Sequence, residues 1–445
     1  MAVSAPALRE ALADVVGRQH FSSDDATLAG MTVDGVVPRW VARPRTEDEV
    51  SRLLAIATSE RLAVAPRGSG SSQDLGNPPR HLDLVIDLSR LAAVTEYVPE
   101  DMVATVEAGV TLGALAARLR PKSQRLVLDP LGGEARTIGG VLATHASGPL
   151  RARYGTPRDL LLGVRFVQAD GSLTWGGSKV VKSVTGYDVP KLLVGSLGTL
   201  GIIVSATLRL HPVPVATGSW LCAFGESAAA GAFLSALLAS SIEPERLLLI
   251  DARALAAGGW RGACPAVSAA SYAVGVLVSI ASAEEAVRSQ GVALERLACG
   301  EGGTAQPWPD AAWPGLAAAL HGPVVVRLAG EIRRITAWLD RAHALAAGAG
   351  MELQSVGQAG HGVLHVALDG VRSAAQLGDA VLAPLRGELA GEGGSAVLER
   401  APAAIKAGLD VWGPVSPESL AIMSRIKREF DPAGLLNPGR FVGGL

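Results

Sequence analysis

Cysteine is nearly missing from this chain. Its 445 residues hold three, Cys222, Cys264 and Cys299, far apart and without a CxxC or Cys/His spacing. That pattern excludes iron–sulfur or zinc ligation by this chain and reads as reduced thiols of a cytoplasmic protein. Aromatic residues are also few, at 4%, which leaves no platform for stacking bases. A formal charge of −2 with no basic stripe excludes a nucleic-acid footprint. The longest apolar run, 273–283, falls far short of the ~20 residues that a membrane-spanning helix needs. Residues 1–19 carry charges that interrupt the apolar ones, unlike a secretory signal. The expectation is a cytoplasmic protein without direct membrane insertion, any attachment to the inner membrane coming through a partner.

What is present is apolar bulk and glycine. With 49% hydrophobic residues and a mean hydropathy of +0.30 the chain can bury a sizeable core, and its length suits two or three domains. The central stretch is 63–72, where an apolar run ends in Pro66-Arg67 and a loop of Gly68, Ser69, Gly70, Ser71 and Ser72 follows. Such a loop turns backbone N–H groups toward an anion, most naturally a phosphate or pyrophosphate. It is not a dinucleotide fingerprint, because Gln73 stands where the third glycine should be and a loop rather than a helix follows. The Walker A pattern is missing too, so a nicotinamide dehydrogenase is disfavoured.

In order, the periodicity predicts a helix over 6–19, a strand at 40–42 and a capping box at Thr46–Glu49. A helix with Val50, Leu53, Leu54 and Ala57 on its buried face comes next, then strands at 62–65 and 84–88. A second unit has a strand at 102–107, a helix through Leu112–Leu119 and a strand at 126–128 closed by Asp129-Pro130. Thr137 is the expected N-cap of a small-residue segment in which Gly139 and Gly140 let a flat ligand lie on bare backbone. A hairpin spans 161–175, and a glycine-rich turn at 195–201 feeds a strand at 202–210.

Beyond Gly218 the glycine loops thin out. Strands at 219–224, 246–251 and 271–279 alternate with helices at 226–240 and 282–297, and a linker follows near 301–315. The order then recurs: strand 323–328, helix 331–348, strands 352–357 and 361–368, helix 371–389, strand 395–399. Two β-α-β-β-α passes suggest paired ferredoxin-like units over one sheet. A last helix covers 417–430. The domain division expected is 1–215 (subdomains of about 1–95 and 96–215), 216–416, and 417–445 returning to the first domain.

As a set, Pro66–Ser71, Thr137–Gly140, Tyr154-Gly155, Gly186–Asp188, Gly198–Ile202 and Asn437–Gly439 resemble the FAD-binding fold of the vanillyl-alcohol oxidase / p-cresol methylhydroxylase superfamily. The segments 147–151, 154–159 and 180–188 most resemble the FAD-binding (E) subunits of bacterial glycolate oxidases. The resemblance covers roughly 34–215 and 417–440. It implies an α+β protein: a PCMH-type FAD-binding domain of two α/β subdomains with a ferredoxin-like α+β cap. It also implies that Arg67–Ser72 cradle the FAD pyrophosphate. Thr137, Gly139, Gly140, Ser147 and Gly148 would follow the isoalloxazine and ribityl chain, Gly201, Ile202 and Ile203 the adenine end, and Pro66, Pro130 and Thr144 would be further cofactor contacts. Covalent members carry a His in the first glycine loop or a Cys before the second. This chain has Ser and Ala/Arg there, so FAD should be held noncovalently. Ser183 and His145 stand where this subunit type usually has Asn, so a hydrogen bond to the flavin could differ.

Oxidising a 2-hydroxy acid requires a cation for the carboxylate, a base for the hydroxyl proton and the flavin as hydride acceptor. In related catalytic subunits a G-H-x-G-D-G-N-x-H segment holds a metal or acts as base. Here the matching stretch is 358–365, with Gln358 for the first His, His361 for the Asp and Val363 for the Asn. His365 matches the last His. This argues against a metal site of the family kind. His361 and His365, which would share one face of a strand at i, i+4, are candidate bases or else core or surface histidines. Arg327 and Arg440 are candidate carboxylate ligands or else salt-bridge arginines. Trp412 could wall the pocket or simply pack.

Two readings stay open. In one, the chain oxidises a small 2-hydroxy acid such as glycolate or D-lactate and passes electrons to an external acceptor. In the other it is an FAD-loaded, catalytically silent partner. Under either, the resemblance implies a second flavoprotein subunit and an iron–sulfur subunit.

Overall fold

A computed structural model describes residues 4–178, 187–257, 274–310, 313, 319–320 and 322–445. Cys264, most of the 180–188 motif including Ser183 and Gly186, and the start of the 271–279 strand lie outside the described residues.

Three large sheets organise the described residues. The first places Trp40–Ala42, Leu84–Asp87 and Val64–Arg67 side by side and parallel, with Phe21–Ser22 antiparallel at one edge. Leu84, Val85 and Ile86 are fully buried, as a parallel strand covered on both faces must be. The connecting helix Glu47–Ser59 buries Val50, Leu53, Leu54 and Ala57. Its cap differs from a full capping box: Thr46 Oγ1 accepts from Glu49 N at 3.2 Å, but the Glu49 carboxylate accepts from Arg45 N at 2.6 Å. The second sheet is antiparallel throughout, in the order Val94–Val98, Val103–Glu107, Ile202–Arg209, Leu161–Val167, Leu173–Gly177.

The third sheet has eight antiparallel strands. Ala216–Phe224, Pro244–Asp251, Val274–Ser282 and Thr304–Pro307 form one half. Val324–Ala329, Glu352–Gln358, Val363–Asp369 and Ser395–Arg400 form the other, in the same internal order. The halves join where Leu249 and Ile250 pair with Gly357 and Val356. Each half is a β-α-β-β-α-β unit, giving the ferredoxin-like cap.

Three expectations for elements need correction. Thr304–Pro307 is an edge strand where the sequence reads as a linker. An edge strand half exposed to solvent needs no apolar run, so periodicity misses it. Residues 126–128 are not a strand; Gln124–Arg125 pairs with His211–Pro212 instead, and Val127 is buried without a ladder. The helix over 371–389 is broken into Ala374–Leu377, a single π turn Gly378–Leu382 and Ala383–Ala390. Pro384 in the first turn of the last piece has no N–H for the ordinary i−4 bond, and the wider turn accommodates it.

The C-terminal helix Pro417–Phe430 brings the chain back to the first sheet. Beyond it, Val64 N donates to Leu435 O and Asn437 N donates to Val64 O, both at 2.8 Å. Lys427 Nζ, buried, donates to Thr199 O at 2.8 Å, Leu436 O at 2.9 Å and Asp431 Oδ2 at 2.6 Å. From the cap side Lys406 is equally buried; it donates to Asp34 Oδ2 at 2.8 Å, to Gly76 O at 3.1 Å and to Asp74 O.

Candidate functional site

The strand Val64–Arg67 ends at a glycine–serine loop, and this loop faces the first turn of the helix Ile138–Thr144 and the turn at 198–203. A narrow cavity runs between them. Thr137 caps the helix, its Oγ1 accepting from Gly140 N at 3.3 Å. The glycines here are required by packing. A Cβ on Gly68 would strike Thr137 Oγ1, and one on Gly139 would lie 2.8 Å from Ala108 Cβ. Gly201, at φ 156°, would bring one within 2.8 Å of Phe166.

Of the residues expected to hold a cofactor, Pro66 to Ser72, Thr137, Gly139, Gly140, Thr144, Gly201 and Ile203 line this cavity. Four do not. Ile202 is a fully buried core residue of its strand, and Pro130 lines a separate hollow beside Asp129 and Arg246. Gly148 is pressed against Asp129 O, where only a glycine fits, and Ser147 lines the neighbouring cleft instead.

Arg136, which was not foreseen, and Asn437, which belongs to the Asn-Pro-Gly segment of the resemblance but was given no contact role, also line the cavity. Arg136, 9% exposed, donates to Leu131 O and Ser72 Oγ, both at 2.7 Å, and leaves its Nε unpaired. Asn437, in the left-handed region at φ 47°, donates to Leu197 O at 2.6 Å and leaves its Oδ1 unpaired. An arginine after Ala135 has an ordinary local explanation, so spacing could not single out Arg136, and the Asn-Pro-Gly motif did not by itself show that Asn437 faces the cavity.

A second cavity of about 460 Å³, within the usual range for ligand pockets, opens from the first. The two share Ser71, Ser72, Arg136, Thr144 and Leu197. Its far wall is one face of the cap sheet. Arg327 pairs directly with His365 on one side and with Val397 on the other. In a regular strand Glu399 and Arg400 would point to opposite faces. The register slips between Val325 and Val326, so Glu399 is an extra residue in a β-bulge, and both side chains reach the cleft.

The bulge completes a cluster. Glu399 Oε2 lies 3.0 Å from His365 Nδ1, and Glu399 Oε1 accepts from Arg327 Nε at 2.9 Å. Burial pushes the Glu399 carboxyl up, but His365 and Arg327 together outweigh it and hold the group at about 2. The carboxylate fixes the imidazole so that Nε2 is free for a substrate, and it positions the guanidinium. Gln358 Nε2 donates to Ser147 O at 3.0 Å across the cleft and leaves Oε1 unpaired. His145, Arg151 and Trp412 also line the cleft. Burial, then Arg151, lower the His145 pKa, which favours a neutral ring. Trp412 both walls the cleft and donates to Arg440 O at 3.0 Å.

The other two candidates fall elsewhere. His361 closes the turn Ala359–His361 before Gly362, which sits at φ 63°, so it does not share a strand face with His365. The turn packs on Ala152, and burial followed by Arg151 lowers the His361 pKa. Arg440 is 3% exposed and donates to Gln73 O at 3.0 Å and Leu75 O at 2.6 Å. It lines the first cavity and braces its loop, and it is not among the residues that line the cleft with His365. Burial lowers its pKa to about 10.

Residues 38–177 match the family model of an FAD binding domain, and 213–441 match that of the C-terminal domain of FAD linked oxidases. The chain is 32% identical over 249 residues to the glycolate oxidase subunit GlcD of Bacillus subtilis, which covers 55% of this chain and 53% of that protein. It thus spans about half the length of that relative. A D-2-hydroxyglutarate dehydrogenase of Xanthomonas citri pv. viticola is 29% identical over 422 residues, covering 91% of this chain and 89% of its own. Among solved structures, p-cresol methylhydroxylase with substrate bound superposes with a TM-score of 0.75 at 16% identity, covering 98% of this chain and 96% of that one. The first cavity fits the group these families share: its glycine cradle leaves bare backbone, and the unpaired Arg136 Nε and Asn437 Oδ1 line it. The chain belongs to the FAD-linked oxidases, has the p-cresol methylhydroxylase type of fold, and is an FAD-dependent oxidoreductase.

Proposed function

We propose that this chain oxidises a small 2-hydroxy acid to the 2-oxo acid. The carrying observation is that the cluster Arg327–Glu399–His365 lines a cleft that shares five residues with the cofactor cavity. The named relatives act on glycolate and on D-2-hydroxyglutarate, which supports this substrate class.

FAD, when bound, supplies the two-electron acceptor for the C2 hydrogen. The rest falls to the chain. Arg327 keeps Nε on Glu399 and presents its terminal N–H groups to the substrate carboxylate. His365, oriented by Glu399, takes the hydroxyl proton. Gln358 is tied to Ser147 and His361 is turned out of the cleft, so the residues do not fit a metal of the family kind, and no step passes through one. FAD is held noncovalently, by the cavity's backbone, hydroxyls and arginines.

With three scattered cysteines the chain needs an external acceptor. The reading places a second flavoprotein subunit and an iron–sulfur subunit downstream. Anaerobic addition of glycolate or D-lactate to the isolated, FAD-loaded chain should bleach the flavin band. Bleaching that occurs only with a partner flavoprotein present would make this chain a silent support.

A further inference from the structure

Charge in the substrate cleft is lopsided. Four arginines line it, Arg136, Arg151, Arg327 and Arg400, against two carboxylates, Asp74 and Glu399. Both carboxylates are already engaged: Arg400 Nε donates to Asp74 Oδ2 at 3.0 Å, and Arg327 holds Glu399. Arg136 has its terminal nitrogens on a carbonyl and two hydroxyls at the junction with the cofactor cavity, where its Nε is left for the cofactor.

Arg151 has no such arrangement. It begins the short helix Arg151–Tyr154 on the FAD-domain side of the cleft, and its Nε is buried without a partner. No carboxylate lies within 4.0 Å of its guanidinium among the described residues, and the residues outside that set include no Asp or Glu. Asp159 acts on it electrostatically, but Asp159 Oδ2 is taken by Thr156 N at 2.7 Å and Thr156 Oγ1 at 2.8 Å. Arg327 faces it from the cap and repels it. A half-buried cation left against another cation costs stability unless a ligand anion compensates.

We infer that the substrate is a dianion, a 2-hydroxy acid with a second carboxylate, of which Arg327 takes the carboxylate next to the reacting carbon and Arg151 the distal one. This rests on the proposed 2-hydroxy-acid reading and narrows it. With four arginines against two carboxylates the cleft carries two unmatched positive charges, which a dianion balances and a monoanion does not. Arginine suits the distal group because its planar fork binds carboxylate through two parallel N–H bonds.

The test is a titration of the FAD-loaded full chain, following the flavin absorbance change and the thermal shift. Succinate and 2-hydroxyglutarate should bind at least about tenfold more tightly than acetate and lactate, the worth of one charge-assisted hydrogen-bonded pair. Arg151→Gln should cut dicarboxylate affinity by about tenfold or more and monocarboxylate affinity much less, while Arg151→Lys should retain part of the preference. Equal affinity for the two classes overturns the inference. So does an Arg151→Gln chain that folds, by circular dichroism, and loses both classes equally. If Arg151→Gln does not fold, the Arg151→Lys chain and the wild-type preference decide. Flavin bleached by glycolate with no preference for dicarboxylates would sink this inference and leave the 2-hydroxy-acid reading standing. Tight dicarboxylate binding with no bleaching by 2-hydroxyglutarate would do the reverse.

Discussion

Glu399 sits between two cations, and a carboxylate so placed stays ionised over nearly the whole working pH range. Its value of about 2 lies below the ordinary 4.5. A depressed carboxyl contributes stability that is complete above the unfolded value and is lost as pH falls through the folded one. The loss should therefore fall between about pH 4.5 and 2, and Glu399→Gln should flatten the urea midpoint measured across that window. His365→Gln should slow anaerobic flavin reduction by about 10²–10⁴-fold, the usual worth of a general base. Glu399→Gln, which keeps the base but loosens it, should cost less. Arg440 acts differently. Arg440→Met should leave the Gln73 and Leu75 carbonyls unpaired, at about 1–3 kcal/mol for each. That loss reads in denaturant melts and in FAD retention. His365 and Arg327 were legible as single residues because a motif and a strand end pointed at them. Glu399 was not, because a Glu-Arg pair on a strand is ordinary until a bulge turns both side chains one way.

Elements matter here through how they are anchored. The helix Pro417–Phe430 was readable to its ends, with Pro417 at its start and Asp431-Pro432 at its stop. What holds it was not. Lys427 and Asp431 are both buried, and Asp431 also accepts from Leu435 N at 3.0 Å and Leu436 N at 2.8 Å. Removing the cation leaves that carboxylate uncompensated. Lys427→Met should cost about 3–5 kcal/mol, seen as a lower urea midpoint, and should release FAD, since Asn437 follows directly on the anchored segment. The missed edge strand Thr304–Pro307 and the absent strand at 126–128 share one cause. Strand pairing is a property of two segments, and a half-exposed edge or a lone buried run does not show its partner in the local pattern.

For the whole molecule, the cap and the FAD domain form one body around the cleft. Lys406 reaches Asp34 and Gly76, Arg246 reaches Asp129 at 3.1 Å, and Gln358 reaches Ser147. FAD enters this assembly without a His or Cys placed to bond it covalently in the family manner. Acid precipitation of the yellow protein should therefore leave a colourless pellet and a yellow supernatant, and colour kept in the pellet would refute noncovalent binding.

The sequence alone determined the glycine cradle, the fold family and the cofactor. Each of these rests on short segments whose backbone needs are local: a bare Cα where another chain segment approaches, a cap, a tight turn. Only the tertiary structure decided which charged residues share the cleft. It separated His361 from His365, withdrew Arg440 into a loop brace, and brought in Glu399, Arg136 and Arg151. Side-chain convergence depends on register, a single bulge and the seating of one domain on another, and those are set by long-range packing that no window of sequence contains.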